Sequence, residues 1–256
     1  MMNTNLFSQY VDAIRNFDGN AISPALHMAS EGALSVYYAP FDWVNTTAKV
    51  VLVGITPGRT QAVNALSESK RHLAQGATLE QALMRGKQTG AFSGAMRPNL
   101  TAMLDRIGLA SWLKIDSCEA LFGASSQLLQ TTSVLPFPVF VNGENYKGAP
   151  DIVRTPLLRD MLVEHFLPLV NALPDTVLLP LGPVPAKAIK WLVAQGHLRA
   201  GRVLAGLPHP SGANVERIQY FLGQKHTSRL SVKTDPTKLD SARHTLIAAV
   251  SALTVT

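Results

Sequence analysis

Residues 208–210 read Pro-His-Pro, and Ser211 and Gly212 follow at once. Proline fixes its own φ and restricts the residue before it, so His209 sits on a backbone with little freedom. An imidazole held in this way can donate a hydrogen bond to negative charge as it develops. Ser211 and the N–H groups after it suit a phosphate, most of all if a helix begins at Asn214. The same residues would also make a plain proline-rich loop with an exposed histidine. A second turn, Gly54-Ile55-Thr56-Pro57-Gly58, sets two glycines around a proline and lets backbone N–H groups approach a ligand closely. An ordinary strand-to-helix turn has the same composition. It is no P-loop, because the G-x-x-x-x-G-K-[ST] spacing and its lysine are absent.

Both turns leave short apolar runs that read as buried strands. Val50 to Val53 ends at Gly54, and the run at 203–207 ends at Pro208. Two more lie within 131–141, interrupted by Pro136 and Pro138, and at 177–179 running on to Gly182. Unbroken apolar runs suit strands covered on both faces. Helical spacing follows the first run at Ala62, Val63, Leu66 and Leu73, and again at Leu157, Leu158, Met161, Leu162, Phe166 and Leu169 after Pro156. Pro98 opens a helix that Gly108 stops, Pro185 opens one that Gly196 stops, and Asp235-Pro236 caps a last one. Strands alternating with helices predict an α/β fold, with a central, mostly parallel four-stranded sheet between two helical layers. No linker divides the chain, so one domain over 1–256 is expected, with a core at 45–225 and helical additions at both ends. Ligands of such sheets collect at the carboxyl ends of the strands, which would bring the two turns side by side.

The bulk composition agrees with a folded, soluble protein. The chain of 256 residues is 46% hydrophobic and 16% charged, the reverse of a disordered sequence. A net charge of +6 and a pI near 9.6 favour an anionic partner, nucleic acid first. Cys118 is the single cysteine, which excludes an internal disulfide and any cysteine-rich metal or cluster site. The other histidines show no ligand spacing, so no metal and no cofactor are expected. No cationic stretch precedes an apolar run at the N-terminus, and no apolar run reaches the ~20 residues of a membrane span. A cytoplasmic monomer that avoids membranes is the expectation. The G-x-S-x-G elbow of α/β-hydrolases is absent, and no G-x-G-x-x-G follows a strand.

Taken as a pair, Gly54-Ile55-Thr56-Pro57-Gly58 and His209-Pro210-Ser211-Gly212 resemble the uracil-DNA glycosylase superfamily. That family carries a G-x-[DN]-P-G or G-Q-D-P-Y turn after its first strand and an H-P-S or N-P-S turn after its last. Ala91-Phe92-Ser93-Gly94 resembles its base-stacking segment, and Leu178-Leu179-Pro180-Leu181-Gly182 its third strand. The likeness spans roughly 45–225. It implies a hydrolase that cuts the N-glycosidic bond of uracil or a related damaged base flipped out of DNA. Residue by residue, it assigns His209 to the oxygen of the leaving base and Thr56 to the water. It puts Gly54, Ile55 and a stacking Phe92 around the base. Pro210, Ser211, Gly212 and Arg217 would lie on the phosphates. The family reads the base edge with an asparagine on its second strand, where this chain has Thr132, with Asn142 and Asn145 nearby as substitutes. Asn142-Gly143 is equally a turn signal. Two departures stand out: Thr56 replaces an acid or amide, and Ala213 is too small for the family's apolar wedge. A single cysteine excludes the iron–sulfur branch. Arg217, Lys225, His226, Arg229 and Lys233 would give a backbone track or a solvated basic face. The alternatives are a nucleic-acid-binding protein that has lost catalysis, and a hydrolase of another nucleoside or nucleotide.

Overall fold

The computed structural model describes residues 5–90 and 96–253. It is an α/β protein with two sheets. The strands are β1 (His27–Glu31), β2 (Leu34–Tyr37), β3 (Val50–Gly54), β4 (Leu129–Ser133), β5 (Val139–Val141), β6 (Glu144–Asn145) and β7 (Val177–Pro180). The helices are α1 (Asn5–Gln9), α2 (Val11–Arg15), α3 (Arg59–Ala74), α4 (Leu79–Gly90), α5 (Met96–Arg106) and α6 (Leu109–Leu113). They continue as α7 (Pro156–Met161), α8 (Leu167–Asn171), α9 (Pro183–Ala194), α10 (Val215–Phe221) and α11 (Pro236–Ser251). The chain forms two compact units. One comprises Met1–Thr46, Gly54–Ser93 and Thr131–Pro174; the other comprises Thr47–Val53, Gly94–Gln130 and Asp175–Thr256.

The second unit holds the strand that the apolar pattern marks most clearly. Val50, Val51, Leu52 and Val53 are fully buried, as a continuous β-branched run covered on both faces should be. They pair in parallel with Val177, Leu178, Leu179 and Pro180, within a three-stranded sheet of order β4-β3-β7. The fourth expected run, 203–207, meets the sheet only through a parallel bridge from Val203 to Leu178, with the Leu204 N–H donating to the Leu178 carbonyl at 2.9 Å. Gly206 is the reason the ladder stops there. Its φ of +136° turns the chain toward α11, where a Cβ would lie 3.0 Å from that of Ala242. Pro208, two residues on, has no N–H to extend the ladder. Proline and aspartate start the helices as their chemistry dictates. The α9 helix opens on Pro183 rather than Pro185, and Asp235 caps α11 by accepting from the Lys238 N–H at 3.1 Å.

The first unit contains an antiparallel sheet, β1-β2-β5-β6, that no apolar run announces. Its signal is alternation instead: Leu34 and Val36 are buried while Ser35 and Tyr37 are partly exposed. Leu34 lies opposite Val141, and Val36 opposite Val139. Thus β4 begins two residues before the expected 131–141 segment, and the end of that segment, β5, belongs to a different sheet. Beyond β2 the chain returns to the core at Tyr38. Tyr38 is fully buried and stacks on Tyr10 with centroids 4.6 Å apart. Between α7 and α8, Leu162–Phe166 forms a π-helical turn. Pro168 explains it, since proline cannot donate to the carbonyl four residues back, that of Glu164. No described helix is long and apolar enough to cross a membrane.

Helices α3 and α4 approach closely because Gly86 allows it. A Cβ there would fall 2.1 Å from Ser69 Oγ and 2.8 Å from the Ala65 carbonyl oxygen. Ser69 is itself fixed, donating to the Ala82 carbonyl at 2.9 Å. Gly86→Ala should therefore lose stability despite alanine's better helix propensity, because a backbone carbonyl cannot step aside. A net loss of about 1–3 kcal/mol is expected in urea unfolding; a stabilised variant would show that the two helices can separate freely.

Candidate functional site

In the second unit the chain beyond the Val203 bridge enters the histidine loop. Gly182, two residues beyond β7, has φ +92°, and its backbone N–H donates to the Leu207 carbonyl at 3.0 Å. A Cβ on Gly182 would stand 3.1 Å from that of His209, so the absent side chain makes room for the histidine. Asn99, on α5, donates through Nδ2 to the Pro210 carbonyl at 2.9 Å. The Ser211 N–H donates to His209 Nδ1 at 3.2 Å. An Nδ1 that accepts carries no proton, so the neutral ring bears its hydrogen on Nε2. Burial also lowers the His209 pKa, which keeps the imidazole neutral.

Ser211 is oriented through a relay. Arg217 Nη1 donates to Asn214 Oδ1 at 2.8 Å, and Asn214 Nδ2 donates to Ser211 Oγ at 3.2 Å. Ser211 thus accepts from the protein and keeps its hydroxyl hydrogen to donate. Arg217 also donates to the Lys233 carbonyl at 2.9 Å, so it positions the loop more than it offers a free charge. Gly212 is exposed, Pro210 is buried, and α10 begins at Val215, one residue beyond Asn214. Lys225 is neutralised by Glu216 at 3.0 Å. The Glu216 carboxyl is held down to about 2 by the hydroxyls of Thr234 and Ser231 and by Lys225. His226, Arg229 and Lys233 are exposed.

Charge divides sharply between the units. The second contains 14 lysines and arginines against 7 acids, and the first 9 against 10. The whole positive excess of the chain therefore belongs to the unit with the histidine loop.

The glycine-proline turn lies in the first unit. Thr56 Oγ1 donates to the Phe137 carbonyl at 2.8 Å and accepts from the Val139 N–H at 3.2 Å. Its hydrogen is committed, and one lone pair remains. Gly54 and Ile55 accept, through their carbonyls, from the N–H groups of Val134 and Leu135, both at 3.0 Å. Asn145 comes to this turn: its Oδ1 accepts from the Arg59 N–H at 2.9 Å, and its Nδ2 lies against Gly58. Asn142 is the turn residue its Asn-Gly signal suggests, with φ +49° before Gly143 at +81°. Arg59 ties the hairpin down, donating to the Gly143 carbonyl at 2.6 Å and stacking 4.5 Å over the Phe140 ring. Thr132, 8% exposed on β4, has a hydroxyl with no hydrogen-bond partner among the described residues. Phe92 lies outside the described residues. No group of acids, histidines or cysteines among those described could hold a metal.

Sequence alone does not single out Asn99 or Arg59, and it marks Asn214 only as a helix start. Asn99 and Arg59 act on segments 111 and 84 residues away, which leaves no local signal. Gly182 was visible only as the end of a strand.

Two measurements test this geometry. Thr56→Val keeps the shape of the side chain but strands the Phe137 carbonyl and the Val139 N–H, and should cost about 1–3 kcal/mol; Thr56→Ser should restore most of it. Nitrogen NMR should find His209 with its proton on Nε2 and titrating below the ordinary ~6.5. A ring protonated on Nδ1 at neutral pH would contradict the Ser211 contact. Because the unfolded chain then takes up this proton first, His209 removes stability as pH falls through that window.

No family model matches the chain, and no solved structure matches it. Across 224 residues it is 36% identical to the uncharacterized protein YoxB of Bacillus subtilis (strain 168). The match covers 86% of this chain and 88% of that protein. Likeness of that degree over nearly the full length of both makes this chain a member of the YoxB family.

Proposed function

We propose that the protein is a divergent uracil-DNA glycosylase, a cytoplasmic monomer that hydrolyses the N-glycosidic bond of uracil or a related damaged base turned out of DNA. The observation that carries this reading is the state of His209. Its Nδ1 accepts from the Ser211 N–H and burial lowers its pKa, which together favour the neutral ring with its proton on Nε2. Such a ring is a hydrogen-bond donor without a full charge, suited to an oxygen that becomes negative only as a bond breaks. In the proposed reaction the bond from the base nitrogen to the anomeric carbon breaks with both electrons leaving on the base. His209 Nε2–H donates to the base oxygen that gathers this charge. Water adds to the anomeric carbon and gives up one proton, and the departing base takes one, leaving an abasic sugar.

Phosphate contacts would come from Ser211, which keeps a hydroxyl hydrogen to donate, and from the exposed Gly212. The surrounding unit has twice as many basic as acidic side chains, which supports an anionic polymer as partner. Gly54, Ile55, Phe92, Thr132, Asn142 and Asn145 remain the proposed base-holding residues. Thr132 has the best support among them, because an orphaned buried hydroxyl gains from a ligand donor or acceptor. Val215, 49% exposed, is the apolar side chain that takes the wedge's place in this reading. The same proposal takes the whole chain as one three-layer domain whose sheet has a fourth strand at Val203.

One observation favours a second reading, a DNA-binding protein without catalysis. The Thr56 hydroxyl serves the Phe137 carbonyl and the Val139 N–H, which leaves it no proton to give and little basicity.

The deciding experiment is a labelled oligonucleotide with one uracil opposite guanine, opposite adenine or unpaired, treated with alkali after incubation. Strand cleavage is expected, and His209→Ala should slow it by about 10²–10³-fold. Ser211→Ala should weaken DNA binding and reduce its salt slope by about one phosphate contact. Salt-sensitive binding without an abasic product in any context would establish the binding protein instead, and base release from free nucleosides alone would mean a nucleoside hydrolase.

A further inference from the structure

A cavity of about 410 Å³ opens in the first unit, well within the range of small-molecule pockets. All of its lining residues belong to that unit, and none belongs to the two turns described above. Trp43, Leu83, Pro136, Phe137 and Leu169 give it an apolar body. Its ionisable lining is one-sided: three carboxyls, Asp42, Glu80 and Glu164, with the imidazole of His165 and no lysine or arginine.

The geometry points to a binding site for a small hydrophobic amine, an organic monocation with an aromatic or bulky apolar body. The apolar part would replace water against Phe137, Leu83 and Leu169, and the ammonium would lie among the carboxylates, with the Trp43 ring as a further cation acceptor. Glu80 and Glu164 are exposed, and among the described residues neither forms an ion pair. Both therefore remain available to a ligand.

Neither His165 nor Lys87 cancels the charge of the two glutamates. His165 packs edge-on against Phe137, with centroids 5.0 Å apart, and burial lowers its pKa, so it stays neutral. Lys87 is buried behind the wall, 3% exposed, and donates to the Trp43 carbonyl. Its ammonium feels the charge of Asp42, whose Oδ1 accepts from the Tyr38 hydroxyl at 2.9 Å and whose Oδ2 has no hydrogen-bond partner among the described residues. Burial pushes Asp42 up to about 6 and Lys87 down to about 7, so the pair carries little net charge and leaves selectivity to the two glutamates.

A second feature marks the same place. The π-helical turn Leu162–Phe166 delivers Glu164 and His165 to the cavity, and such insertions recur at functional sites because they re-aim side chains at the cost of regular hydrogen bonding.

Calorimetric titration of the full chain at low ionic strength and neutral pH tests the inference with three indoles of nearly one shape. They are tryptamine (a cation), tryptophol (neutral) and indolepropionate (an anion). Tryptamine should bind at least about tenfold more tightly than either of the others. Glu80→Gln with Glu164→Gln, both exposed and harmless to folding, should abolish that preference while leaving a common apolar affinity. Equal binding of the three, a preference that survives the double substitution, or no binding of tryptamine at millimolar concentration would each overturn it. The uracil assay does not bear on this outcome, since the cavity shares no residue with the histidine loop.

Discussion

Everything in the second unit is referred to one strand that has nowhere to go. Val50 to Val53 are completely buried, and β3 has a neighbour on each side in the sheet. A strand so enclosed cannot slip: a shift of one residue would exchange both of its faces and break the parallel ladder to β7. That ladder fixes where β7 ends, at Pro180, and so where Gly182 makes its left-handed turn. Gly182 in turn sets the height of His209, whose Cβ fills the space a side chain at 182 would occupy. The position of one imidazole is thus traceable, step by step, to four apolar residues that no solvent reaches.

The readable parts of the sequence were those whose physics is local. The run at 50–53 is apolar on both faces, the Asp235-Pro236 pair caps a helix, and Asn142-Gly143 makes a tight turn; each can be argued from neighbours in the chain. The antiparallel sheet escaped because β1 and β2 are short and half polar, and β5, the second partner of β2, lies more than a hundred residues downstream. The run at 203–207 has strand composition, yet Gly206 bends it toward α11, and a contact with Ala242 leaves no trace at 206 itself. The site shows the same division. Pro-His-Pro-Ser declares itself, whereas Asn99 holding the Pro210 carbonyl and Asn145 capping Arg59 depend on how distant segments return.

Charge separates the two units more than their folds do. An excess of seven positive charges accompanies the histidine loop, while the other unit is close to neutral and gathers three carboxyls around its cavity. The net charge of +6 averages over this contrast and conceals it. Attraction for a polyanion and preference for a small cation, the two proposals made above, require opposite fields, and the division of charge between the two units would let one chain support both.

In the proposed reaction, a threonine at position 56, where the glycosylase turn carries an acid or amide, decides which step the protein could assist. Thr56 Oγ1 donates its only hydrogen to Phe137 and has one lone pair left after Val139. With that lone pair it can accept a hydrogen from a water and so orient it, but it cannot remove the proton. An oxocarbenium-like sugar scarcely needs a base, because so electron-poor a carbon captures neutral water readily. The departing pyrimidine does need help, since its charge develops before any proton reaches it. Under the proposal, the neutral, immobilised Nε2–H donor of His209 would therefore be the group that acts on the harder half of the reaction. The proposed reaction would then depend for turnover on His209 rather than on Thr56.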